Sequence, residues 1–267
     1  MDNFTDERDI RLIGKDPFTF SVLGRILGGD CKLLLTDHEK LIICFTTEPF
    51  PVWIWTPDEI TEEEKEHAYG VCRENGLIDG RHRFNLKYEL AEFFVERAKK
   101  DGVDFFVEVN MFAYSCPEPI RPIDGAAGKR ELCKKEDLDE LTQFIDLFHR
   151  EIGVDLQTEK EYRENAERHI QNGRTYFWTD ESGRHVASCS WEPAGDQLAT
   201  VNLVYTRKEC RRFHYAQSLV YEVTELVKKE GYLPALYTNA DYEASNACYE
   251  KLGYILQGKL CTIRCVL

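Results

Sequence analysis

The chain has 267 residues, 43% hydrophobic and 31% charged, which supplies a packed core and excludes a disordered chain. Acidic residues outnumber basic ones 48 to 34, a formal net charge of -14. That balance argues against nucleic acid or an anionic membrane as partner, since Lys and Arg hold both, and suits a cationic amine as well as plain solubility.

The charge is uneven. Residues 1–120 hold 24 acidic and 14 basic side chains and the rest hold 24 and 20, so the two parts carry -10 and -4. The start, Met1 to Asp9, has no basic n-region followed by an apolar stretch, and nowhere do 18 apolar residues run together. A cytoplasmic protein without a membrane span is expected. The ten cysteines form no C-x-x-C pair and no histidine cluster has zinc-ligand spacing, so reduced thiols and no metal are expected.

In chain order, 32–37 and 40–47 read as two strands joined by Asp37-His38-Glu39, and Val52-Trp53-Ile54-Trp55 as a third between prolines. Thr56-Pro57-Asp58-Glu59 opens a helix that runs to Asn75-Gly76, with acidic residues at its positive end. Leu86, Leu90, Phe93 and Phe94 predict a helix over 85–100, and 105–113 follows as a strand. These pieces make an α/β domain over residues 1–115. Prolines 117, 119 and 122 and glycines 125 and 128 mark residues 116–130 as a linker.

A second domain over 131–267 starts again with helices, one carrying Leu138, Leu141, Phe144, Ile145 and Phe148, the next over 158–172. Strands are predicted at 175–179, 185–191 and 198–205, then a helix over 214–230. A strand at 235–238, a helix at 244–252 and strands to 267 complete a mixed α/β (α+β) sheet, mostly antiparallel and flanked by helices.

Two segments carry chemistry. In Val201 to Ala216 a strand ends, a loop with Arg207, Lys208, Arg211 and Arg212 follows, and a helix begins. Free N–H groups at a helix start bind phosphate, although a solvated basic loop reads the same way. In the second segment Asn246 and Tyr249 stand three apart and share a helix face. The Tyr249 hydroxyl suits proton donation to a leaving group, and the alternative is that Tyr249 packs with Leu252 and Tyr254 as core.

Together these segments resemble the GNAT superfamily of acyl-CoA-dependent N-acetyltransferases over residues 131–267. The resemblance implies the GNAT fold, with acetyl-CoA as acyl donor and a small-molecule or protein amine as acceptor. Backbone at Val204 and Tyr205 would pair with the pantetheine amides. The motif Arg/Gln-x-x-Gly-x-Gly/Ala falls on Arg211, Arg212, Phe213, His214, Tyr215 and Ala216, whose N–H groups would hold the pyrophosphate. His214 departs from the pattern, standing where the family has glycine. Asn246 would contact CoA and Tyr249 would protonate the departing thiolate. Glu192, at the end of strand 185–191, is the candidate base, and a carboxylate in an exposed turn is the plainer account of it. The N-terminal part resembles a degenerate GNAT-like half without the pyrophosphate motif, hence a tandem. A non-catalytic acyl-CoA-binding or scaffold protein on the same fold is the alternative function.

Overall fold

In the computed structural model, residues 1–153, 156–195 and 197–266 are described. They divide into two compact units, one of Met1–Ala113, Tyr237–Glu243 and Leu256–Leu267, the other of Tyr114–Leu236 and Ala244–Ile255. Among the described residues, no helix is long and apolar enough to cross a membrane. All ten cysteines are free thiols.

The first unit runs α1 (Glu7–Ile13), α2 (Ser21–Ile26), β1 (Leu33–Thr36), β2 (Ile42–Phe45), β3 (Val52–Trp55), α3 (Glu62–Glu74), β4 (Phe84–Leu86), α4 (Tyr88–Lys99) and β5 (Phe105–Ser115). β1, β2 and β3 pair antiparallel, while β3 and β4 run parallel. Every residue of β2 and β3 is buried, which is what their unbroken apolar runs require. Alternation then divides them between two cores. Ile43, Phe45, Val52 and Ile54 pack with Tyr69 and Cys72 of α3 and Leu90 and Phe94 of α4. Ile42, Cys44, Trp53 and Trp55 pack with Ile13, Phe20 and Leu23 from the α1–α2 region. Neither α1 nor α2 stands out in the sequence. At seven and six residues they are too short to hold without this packing.

The start of the chain is tied to the β1–β2 turn by a charged network. Asp9, wholly buried, accepts from the Thr36 hydroxyl at 2.6 Å and lies 2.7 Å from His38 Nδ1. His38 Nε2 is 3.0 Å from Asp2. Burial alone would lower the His38 pKa, but the hydrogen bonds to Asp9 and Asp2 outweigh it and hold the pKa above the ordinary histidine value. Asp6, Asp9 and His38 are of metal-ligating type and lie together, yet both ring nitrogens are already committed to carboxylates.

The second unit contains β6 (Lys129–Leu132), α5 (Leu138–Ile152), α6 (Glu159–Asn172), β7 (Thr175–Thr179), β8 (His185–Pro193), β9 (Leu198–Thr206), α7 (Tyr215–Lys229), β10 (Leu233–Asn239, through Leu236) and α8 (Glu243–Lys251, from Ala244). The antiparallel ladder β6-β7-β8-β9 is joined by a parallel β9–β10 pair. β6 straddles the expected boundary, with Lys129 and Arg130 in the stretch read as a linker and Glu131 and Leu132 in the second domain. Leu141, Phe144 and Ile145 of α5 meet Tyr162 of α6 over Phe177, Leu203 and Tyr205, and α7 buries Leu219, Val220, Val223 and Val227. Gly253 has φ +91°, and a Cβ there would stand 2.3 Å from the Glu118 carbonyl, so only glycine fits.

From α1 to β5 the order is helix, helix, three strands, helix, strand, helix, strand. From α5 through β11 (Ile255–Cys265) the order repeats. The last strand, β11, is part of the first unit. β11 pairs with β4 in the first unit, and the Cys116 N–H, just beyond β5, donates to Pro234 of β10 in the second.

Candidate functional site

The site expected from the sequence lies where β9 meets α7. Opposite β9, Ser188 pairs with Tyr205 and Ser190 with Asn202, so Cys189 alone faces both Leu203 and Val204. This is a β-bulge, with Leu203 at φ +50° and its carbonyl accepting from the Ser188 hydroxyl at 3.0 Å. On the other side of β9, the parallel ladder joins Leu198–Thr200 to Leu233–Ala235 and goes no further among the described residues. From Val201 onward that edge of β9 offers its N–H and C=O groups to whatever lies alongside. Val204 and Tyr205 fall in this stretch. The Tyr205 ring is buried against Phe144 at 5.9 Å, so its backbone is the part available to a ligand.

Beyond β9 the chain makes a short turn over Lys208–Cys210 and runs extended at Arg211. It then takes the left-handed conformation twice, at Arg212 (φ +68°) and at His214 (φ +62°, ψ 13°). His214 therefore adopts the backbone that the motif glycine would adopt freely, at a cost of roughly 1–2 kcal/mol for a residue with a Cβ. A left-handed residue followed by helical Tyr215 turns successive N–H groups to one side, a concavity suited to an anion. No side chain caps α7 and its first turn holds no acidic residue. Phe213 is 59% exposed, with its ring 5.9 Å from Tyr215.

The four basic residues divide in two. Arg207 Nη2 donates to Glu140 at 2.8 Å, and Arg211 Nη2 donates to Glu151, both carboxylates belonging to α5. Lys208 and Arg212 are exposed and form no ion pair among the described residues. The loop's cationic character at the helix start thus rests more on these two, and on the α7 dipole, than the count of four suggests. An open cavity of about 350 Å³ beside the loop is walled by Glu140, Arg184, His185 and Arg207.

Asn246 and Tyr249 are the buried residues of α8, so they do share its inner face. Tyr249 is 6% exposed and its ring meets Tyr254 at 5.7 Å. Core packing by Tyr249 is therefore present, as one of the two readings held. Glu192 pairs with Thr200, the last β9 residue laddered to β10. The loop leaves β9 at Thr206, six residues or about 20 Å further along. Glu192 is half-buried and its charge acts on His169, whose pKa is lowered by burial, the nearby carboxylate working in the opposite direction. Cys248 is pushed up to about 11 by burial, which keeps it a thiol and a poor nucleophile.

The sequence reading missed the polar pairs that brace this region. Ser190 donates to the Asn202 side chain across the bulge, and Glu140 is shared by Arg207 and His185. Ser188, Ser190 and Asn202, polar residues inside otherwise apolar strands, are the signal that was there to use.

The sequence model of the Acetyltransferase (GNAT) family matches residues 141–254, from α5 to the end of α8. No curated protein matches by sequence. A GCN5-related N-acetyltransferase from Sphaerobacter thermophilus has a similar structure, with TM-score 0.67 and 11% identity over 98% of this chain and 94% of that one. One from Kribbella flavida gives 0.62 and 11% over 92% and 93%, and an acetyltransferase of the GNAT family from Colwellia psychrerythraea 0.60 and 11% over 98% of both. At these identities the likeness is one of fold. Residues 141–254 belong to the GNAT acetyltransferase family, and the GNAT fold extends over both units of the chain.

Proposed function

We propose that the chain transfers the acyl group of acetyl-CoA to a primary amine, with the second unit holding the donor. The observation that carries this reading is the start of α7: an uncapped helix without acidic residues in its first turn, entered through left-handed His214 at the end of the loop that follows a strand edge left open. Such a place suits a pyrophosphate, with the N–H groups from Arg211 to Ala216 as donors, while backbone at Val204 and Tyr205 pairs with the amides of the pantetheine arm. When bound, acetyl-CoA supplies a thioester carbonyl open to attack.

The chain's own groups then have distinct tasks. An N–H near the bulge at Val204 polarises the carbonyl. Glu192, directly or through water, accepts the proton that the amine must lose, and the Tyr249 hydroxyl gives a proton to the departing thiolate. Asn246 contacts the donor from the same face of α8.

Release of free thiol from acetyl-CoA, screened over a panel of amines, tests the reading. A positive amine is the expected result. Tyr249→Phe should then lower kcat about a hundredfold at neutral pH, with CoA affinity little changed. An unchanged kcat would remove the general acid. A second reading, an acyl-CoA-binding protein without catalysis, is favoured by one observation, the packing of Tyr249 against Tyr254. CoA binding without thiol release from any amine would establish it.

A further inference from the structure

The loop between β9 and α7 is strained and yet tightly held. Arg212 and His214 both carry left-handed backbone without being glycine. Such residues are strained and persist only where their surroundings over-determine them. Here the surroundings are two arginine struts that run from the loop to the same helix, α5.

The first strut holds the loop's entry. The Arg207 backbone N–H donates to Val186 at 3.0 Å, its Nε donates to the His185 carbonyl at 2.9 Å, and its Nη2 reaches Glu140. Its guanidinium lies 4.4 Å from the centre of the Phe144 ring, so it is packed as well as paired. Glu140 is fixed in turn by His185 Nδ1 at 2.8 Å. The second strut holds the residue just before the strained pair. Arg211 Nε donates to the Thr206 carbonyl at 3.2 Å, its Nη2 donates to Glu151, and its guanidinium lies 5.8 Å from the centre of the buried Tyr205 ring. Phe144 and Tyr205 belong to the core between α5, α6 and the sheet. The Arg211 side chain is therefore committed to that core, and its place in the phosphate-binding motif is served by its backbone.

From this we infer that Glu140 and Glu151 of α5 are positioning residues for the acyl donor: through Arg207 and Arg211 they hold the strained loop in the shape that presents its N–H groups to the pyrophosphate. The inference rests on the proposed CoA site and assigns to α5 a task that the loop motif leaves to glycine elsewhere. Releasing a strut lets the left-handed pair relax. The binding-competent loop is then only partly populated, and the apparent affinity falls by that fraction. The opposite sign is also physically available, because removing a carboxylate near an anion relieves repulsion. The sign of the change therefore decides.

The experiment is a calorimetric titration of the full-length protein with CoA, comparing the unaltered chain with Glu151→Gln, Glu151→Asp, Arg211→Gln and the double variant Glu151→Gln/Arg211→Gln. Glu140→Gln provides the same test on the other strut, and melting temperature is followed throughout. Glu151→Gln is expected to weaken CoA about five- to tenfold at little cost in melting temperature, with partial rescue by Glu151→Asp. The double variant should bind as weakly as Arg211→Gln alone, because Glu151 acts through Arg211. A merely structural carboxylate would give additive losses, which would overturn the inference. Equal or tighter binding by Glu151→Gln would overturn it as well, while leaving the CoA site intact. Failure of the unaltered chain to bind CoA would overturn the site itself and this inference with it.

Discussion

Helices α3 and α7 occupy the same place in the two repeats, each following the third strand of its repeat and preceding the parallel one. Their N-termini are treated in opposite ways. Thr61 caps α3 by accepting from the Glu64 N–H, the Thr61 N–H donates to the Glu64 carboxylate at 2.7 Å, and Glu62, Glu63 and Glu64 fill the first turn. The capping box occupies two of the N–H groups at that end, and the three carboxylates offset its positive dipole and repel phosphate. At α7 no side chain caps the start, no acid stands in the first turn, and the residue before the helix is left-handed. On the proposed reading, one fold used twice closes an anion site in one copy and keeps it in the other by the chemistry of about four residues.

The sharpest way to break this contrast is to write α3 into α7. Ala216→Glu places a carboxylate in the first turn of α7 and should weaken CoA binding tenfold or more, about 1.4 kcal/mol, as measured by titration. Thr61→Ala removes the cap from α3 and should cost about 1 kcal/mol of stability in urea denaturation, with CoA affinity unchanged. A change in CoA affinity would mean that the first unit also serves the site. His214→Gly has a smaller effect of the opposite sign. It relieves roughly 1–2 kcal/mol of left-handed strain against about 0.5–1 kcal/mol of added chain entropy, so the variant should be more stable by about 0.5–1 kcal/mol. Destabilisation would show that the loop does not take this backbone in solution.

The least effect is a pH dependence confined to the first unit. His38 has a raised pKa in the folded chain, so its charged form favours folding. That stability is fully present below the unfolded value of about 6.5 and is lost as pH rises through the folded value. The difference in urea midpoint between the unaltered chain and His38→Asn should therefore be largest near pH 6 and shrink on the alkaline side. Asn is chosen because it tolerates the φ of +62° at this position. A difference that grew with pH would contradict the sign.

Much of this was legible in the sequence, for physical reasons that also explain what was not. The runs Leu41 to Phe45 and Val52 to Trp55 read as buried strands because both of their faces are covered. β4 was absorbed into the following helix because Leu86 falls in step with Leu90 and Phe94, and period alone cannot separate a three-residue strand from a helical start. β6 hid among prolines and glycines. At the site, the resemblance pointed to Arg211 through Ala216 as motif positions, and His214 takes a backbone that glycine prefers. The pairing of Arg207 with Glu140 and of Arg211 with Glu151, more than fifty residues apart, is set by tertiary structure and leaves no local signal. Nor does element order reveal that β11 completes the first unit, because the order is the same whichever strand pairs.

The central claim is that one repeat binds the acyl donor and the other does not. Calorimetric titration of the full-length protein with CoA measures this directly. The account predicts one site per chain, lost or strongly weakened in Ala216→Glu and retained in Thr61→Ala. Two sites per chain, or a single site indifferent to Ala216→Glu, would contradict it.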